Sequence, residues 1–157
     1  KYLYELAQEL LRGESPIPDA DRELIAAYVS SLNNCGFCSM SHAAASRALY
    51  GERKDIVNCV IDDIPTDKVD AKLRALLDIA AKVVEGGKSV LQSDIDEARK
   101  NGAGDVEIHD TVLIAAAFCM YNRYVDGLDS FTPTDPEVYI EMGQRLAKNG
   151  YVSPKGN

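Results

Sequence analysis

No stretch of this 157-residue chain alternates apolar and polar side chains with the β-branched bias of a strand. Apolar residues instead recur every three or four positions, in segments broken by Gly, Pro and Asn. That rhythm predicts an all-α fold, a single-domain bundle of about eight helices. Three stretches are expected: an N-terminal helix with its connector over 1–18, a helical domain over 19–152, and a tail over 153–157 that frays.

Leu3, Leu6, Leu10 and Leu11 mark the first helix, which Gly13 stops, and Pro16 and Pro18 keep the connector non-helical. A second helix runs from about Asp19 to Asn33, with Asp19 and Asp21 suited to its positive end. A third begins near Cys35 and stops at Gly51. A shorter one covers about 52–62 and ends before Pro65. Thr66 is placed as the cap of a fifth helix that ends at Gly86-Gly87. Ser93-Asp94-Ile95-Asp96 resembles a capping box for a sixth. The seventh, about 105–126, carries Val112 to Cys119, apolar nearly all round, and is expected to be the central, buried helix. Asp135-Pro136 opens the eighth, and Asn149-Gly150 closes it.

The formal net charge of −8 argues against a nucleic-acid or anionic-membrane partner, both of which select clustered Lys and Arg. The longest apolar run, Val112 to Met120, is too short to cross a bilayer, which takes roughly 20 residues. Lys1 to Glu5 lacks the apolar core of a secretory leader, and the missing initiator Met suggests that residues precede Lys1. Four cysteines are too few for a disulfide-stapled scaffold. A cytoplasmic location is expected.

Two of the cysteines and one of the two histidines fall in Cys35-Gly36-Phe37-Cys38-Ser39-Met40-Ser41-His42. Residues three and four apart share a helix face, so Cys35 and Cys38 lie one turn apart, as do Cys38 and His42. The cysteine spacing fits the Cα separation of a disulfide. A helix start offers free N–H groups and a positive dipole end, both of which favour thiolate. His42 is nearest Cys38, which makes Cys38 the activated sulfur and leaves Cys35, expected to be the more exposed, as the resolving thiol. Gly36 leaves the backbone open to a ligand or another chain. A carboxylate from the preceding helix would tune the imidazole; spacing alone leaves Glu23, Asp19 and Asp21 as candidates. Zinc is not expected, because the two cysteines and His42 supply three of the four ligands of a structural site. Haem attachment needs His directly after the second cysteine, where Ser39 stands. No cofactor is expected. Cys59 and Cys119 read as small core residues, and His109 as an exposed residue among acidic neighbours. For Tyr121-Asn122-Arg123-Tyr124, packing is the first reading.

Glu23, twelve residues, then Cys35-x-x-Cys38-x-x-x-His42 resembles the core motif of the alkylhydroperoxidase D family, within the carboxymuconolactone decarboxylase-like superfamily. Ala116-Phe118-Asn122-Arg123-Val125-Asp126-Gly127 resembles that family's long C-terminal helix. The resemblance implies an all-helical subunit that assembles into trimers or hexamers. It implies that Glu23 and His42 relay a proton, that Cys38 becomes a sulfenic acid, and that Cys35 resolves it to a disulfide. It further implies a peroxide substrate and an external dithiol or reductase, of lipoyl or peroxiredoxin-linked type. Phe37 stands where the best-studied members carry a second relay histidine. The decarboxylase branch lacks the dithiol, which argues against lactone decarboxylation here.

The sequence therefore points first to a thiol-dependent alkyl hydroperoxidase. A thiol–disulfide oxidoreductase with incidental peroxidase activity is the second reading. A helical oligomer whose dithiol is structural or sensory is the third.

Overall fold

The computed structural model describes residues 1–64 and 66–152; Pro65 and the tail 153–157 lie outside the described residues. Eight α-helices follow in order: α1 Tyr2–Arg12, α2 Asp19–Leu32, α3 Gly36–Tyr50, α4 Asp55–Ile61, α5 Ala71–Glu85, α6 Gln92–Lys100, α7 Asp105–Gly127 and α8 Pro136–Asn149. No strand occurs among the described residues, as the missing two-residue alternation predicts. None of these helices is long and apolar enough to cross a membrane.

The centre of the bundle is α2, not α7. Leu24, Ile25, Ala26, Ala27 and Val29 are all fully buried, and α2 touches α1, α3, α4, α5 and α7. Small alanines let neighbouring helices close on several sides of it. The seventh helix buries one face, through Ile108, Thr111, Ile114, Ala115, Phe118 and Asn122. Its other side turns Val106, Leu113, Met120 and Tyr124 to the exterior. An apolar run long enough to wrap a helix is thus met by neighbours on one side only.

Two helix starts also differ from expectation. Asp70, not Thr66, caps α5: its side chain accepts the Leu73 N–H at 2.8 Å. Thr66 Oγ1 instead accepts from Lys68 N within the preceding turn, at 3.1 Å. The sixth helix begins one residue before Ser93, and Asp94 reaches back to the Leu91 N–H at 2.8 Å. Only half of a capping box forms, because Leu91 has no side-chain acceptor to return the bond.

Residues 1–18 pack into the same core, with Leu11 and Ile17 essentially inaccessible. The end of α1 is tied down by Arg22, whose Nη1 donates to the carbonyls of Leu10 at 3.2 Å and Gly13 at 2.9 Å. These are carbonyls that a terminating helix leaves without an internal partner.

On the opposite side α8 lies against α3. Gly143 makes that approach possible: a Cβ there would stand 2.5 Å from the Ala44 carbonyl carbon and 2.6 Å from its oxygen. Gly143→Ala is expected to force the two helices apart and lower unfolding free energy by about 1–3 kcal/mol. Urea denaturation measures this, and an unchanged midpoint would show that the helices yield without strain.

Candidate functional site

Asn33 and Asn34 make the break between α2 and α3 short. Asn34 takes a left-handed conformation, φ 59°, which asparagine tolerates better than most residues. The chain reverses at once, and the Cys35 N–H bonds the Ser30 carbonyl at 3.0 Å. The helices then run antiparallel in a fixed register. Ser46 Oγ meets the Ala20 carbonyl at 2.9 Å, and His42 Nδ1 meets Glu23 Oε2 at 2.7 Å.

That register decides which acidic residue faces the imidazole. Glu23 does. Asp19 pairs with Arg22, and Asp21 accepts from the Tyr50 hydroxyl. Glu23 is fully buried and surrounded by donors. Arg12 Nη2 reaches Oε1 at 2.7 Å, the Tyr151 hydroxyl reaches Oε1 at 2.6 Å, and His42 takes Oε2. Burial alone would raise the Glu23 pKa. Against it act the charge and hydrogen bond of His42, then Arg12, then the Tyr151 hydroxyl, and together they hold the carboxyl below its ordinary value. Three donors on one carboxylate require Nδ1 of His42 to carry the proton toward Oε2. Nε2 has no hydrogen bond among the described residues. The imidazole is gripped by rings as well. Phe118 meets it edge-on at 4.6 Å between centroids, and Tyr151 stacks at 5.9 Å.

Cys35 is the N-cap of α3, and Cys38 lies in its first turn. Both are free thiols. The expected exposure of Cys35 is overturned: it is 0% exposed and Cys38 4%. The tight reversal after Asn34 presses the helix start against α2 and α7. The helix dipole accordingly does not prevail. Burial pushes both thiols up, Cys35 to about 12. For Cys35 the neighbouring Cys38 and Asp126 add to the rise. For Cys38, hydrogen bonds from the Cys35 thiol and the Asn122 amide oppose it. Burial is thus the largest cause for both thiols, and it is pushed against by two hydrogen bonds at Cys38.

His42's own hydrogen bonds go to Glu23 and Tyr151, with none to Cys38 among the described residues. The one-turn spacing between them is present along α3, while the imidazole is drawn toward α2. Gly36 is exposed, and a Cβ there would meet nothing nearer than 4.0 Å. Phe37, at the position of the absent second histidine, turns its ring to Tyr139 of α8, 6.4 Å between centroids.

Three residues of this site were not singled out by spacing. Arg12 closes α1, Tyr151 follows α8, and Asn122 lies in α7. Arg12 carries a faint local signal, a charge just ahead of the helix-stopping Gly13. Asn122 lies just past the apolar run, and it is 1% exposed. It accepts from Asn33 Nδ2 and donates to Ser30 Oγ, both at 2.9 Å. Tyr151 has no local signal, because its partners are far away in sequence. The remaining candidates stay outside the site. His109 is exposed beside Asp110, 2.9 Å, and Cys59 and Cys119 are partly buried. No cluster able to hold a metal ion occurs among the described residues.

A buried dithiol at a helix start and a histidine held by a buried carboxylate thus share the α2–α3 pair of an all-helical bundle. The sequence model of the carboxymuconolactone decarboxylase family matches residues 1–66. The fold is similar to that of an uncharacterized peroxidase-related protein from Silicibacter sp. TM1040. Identity is 28%, the TM-score is 0.78, and 88% of this chain and 71% of that one are covered. It is also similar to an alkylhydroperoxidase AhpD core, an uncharacterized peroxidase-related protein from Ralstonia eutropha JMP134. There the identity is 23%, the TM-score 0.77, and the coverage 91% and 73%. No curated protein matches the chain. The chain is AhpD-like in fold and carboxymuconolactone decarboxylase-like in the sequence that holds the dithiol.

Proposed function

We propose that this chain is a thiol-dependent hydroperoxidase. The observation that carries the reading is the pair of buried Glu23 and His42, 2.7 Å apart, built one helical turn from the second sulfur of the dithiol. Cys38 loses its proton toward the imidazole. The thiolate attacks the terminal peroxide oxygen, the O–O bond breaks, and the alcohol leaves after taking up a proton. Cys38 is now a sulfenic acid. The Cys35 sulfur attacks it, water leaves, and the disulfide forms. An external dithiol, itself oxidised to a disulfide, restores both thiols by exchange.

The burial of both sulfurs favours a small oxidant over a protein disulfide, and so ranks the hydroperoxide above thiol–disulfide exchange. The kinship of the Silicibacter protein, described as peroxidase-related, points the same way. The exposed apolar residues of α7, among them Val106 at 57% and Met120 at 44%, support assembly of this subunit with copies of itself.

Peroxide consumption by the reduced protein, measured with lipoyl and other dithiol reductants, tests the reading. Consumption no faster than that of a free thiol would refute it. The thiols give a separate expectation. At neutral pH both are protonated, so iodoacetamide labels the reduced, folded protein slowly, at Cys38 first and faster as pH rises. Cys35, held up at about 12, stays unlabelled until the protein unfolds. Peptide mass spectrometry separates the two sites, and equal labelling rates would contradict this order.

A further inference from the structure

The part of the site with no counterpart in the dithiol motif is the segment just past α8. Gly150 takes a left-handed conformation, φ +66°, and a Cβ there would stand 2.4 Å from Gln8 Oε1. The same Gln8 oxygen accepts the backbone N–H of Tyr151 at 2.7 Å and of Val152 at 3.3 Å. The segment is therefore pinned to α1 at a turn that glycine alone takes without strain. Pinned there, the Tyr151 ring lies parallel to His42 and under the Arg12 guanidinium, 5.5 Å from the ring centre. Its hydroxyl is 2.6 Å from Glu23 Oε1 and 3.1 Å from His42 Nδ1.

We infer that Tyr151 is a positioning residue: its hydroxyl, held in place by Gln8, keeps the Glu23 carboxylate ionised and turned so that Oε2 receives His42. The inference rests on the proton relay proposed above. Arg12 and Tyr151 both occupy Oε1, which reserves Oε2 for the imidazole. The ionisable groups around the hydroxyl are Arg12 from α1, Glu23 from α2, His42 from α3 and Tyr121 from α7. Glu23 accepts its hydrogen bond, so the phenol is fixed as a donor. Burial first, and then the Glu23 charge, hold the phenol well above its ordinary range.

Tyr151→Phe removes the hydroxyl and keeps the ring. The test follows the Glu23 carboxyl by carbon-13 NMR against pH, with the resonance assigned by its loss in Glu23→Gln. In the Phe variant the titration is expected to move upward by about one pH unit. Peroxide kcat is expected to fall roughly tenfold, with KM little changed. Gln8→Ala, which leaves the hydroxyl but releases the segment, should shift the titration the same way by less, and add nothing in the double variant. If Tyr151→Phe titrates like the wild type, the ring only packs and the inference fails. If the titration moves but the wild-type protein consumes no peroxide, the inference about Tyr151 stands and the hydroperoxidase reading falls.

Discussion

Cys38→Ser is expected to consume no hydroperoxide above background, a loss on the order of 10³-fold or more. Cys35→Ser should behave differently. It should consume one equivalent and stop, trapped as a sulfenic acid that dimedone labels at Cys38. The asymmetry follows from the site. Burial holds the Cys35 thiol up at about 12, while hydrogen bonds oppose the rise at Cys38, so the proposed mechanism places the attacking thiolate at Cys38. Serine at 35 leaves an attacking sulfur but no partner to close the disulfide. A Cys38→Ser protein that turns over at the wild-type rate would remove the basis of the mechanism.

Glu23→Gln is expected to lower stability at pH 7 by about 3 kcal/mol, because it leaves the Arg12 charge without its buried partner. The pH dependence has a definite sign. In the folded chain Glu23 titrates below its ordinary 4.5. The stabilisation from its ionised form is therefore complete above that value and is lost as pH falls through the lower, folded-state value. The gap between wild type and Glu23→Gln should be widest near neutrality and close progressively in acid. Urea melts at a series of pH values measure it. A gap independent of pH would mean that the carboxylate is not the ionised anchor described here.

What was legible in the sequence was whatever depends on near neighbours. Helix periodicity, the stops at Gly13, Gly51 and Gly150, the Pro136 start and the one-turn spacings along α3 all act over a few residues. Glu23 was identified by family spacing, and the structure supplies the physical reason. A two-residue reversal at Asn33-Asn34 sets a register that faces Glu23 to His42 and leaves Asp19 and Asp21 to other partners. Burial was less legible. Helix α7 is the more apolar sequence, yet α2 is the centre, because burial depends on how many neighbours a helix meets rather than on its own composition. The same cause overturned the exposure of Cys35. A helix-start cysteine is open only when nothing packs on that start, and here α2 folds straight back onto it. Arg12 and Tyr151 could not be read from spacing, since each reaches Glu23 by way of an entire helix packing.

The bond between Tyr151 and Glu23 spans 128 residues of chain. During synthesis α1, α2 and α3 can pair long before α8 has been made, but the carboxylate then lacks its phenol. The imidazole is likewise uncovered on the side where that ring later lies. An unfinished or clipped chain would hold its dithiol beside an unfinished relay. On the proposed mechanism, full reactivity would arrive only with the last helix and the residues just past it, and the onset of Cys38 chemistry would report completion of the fold.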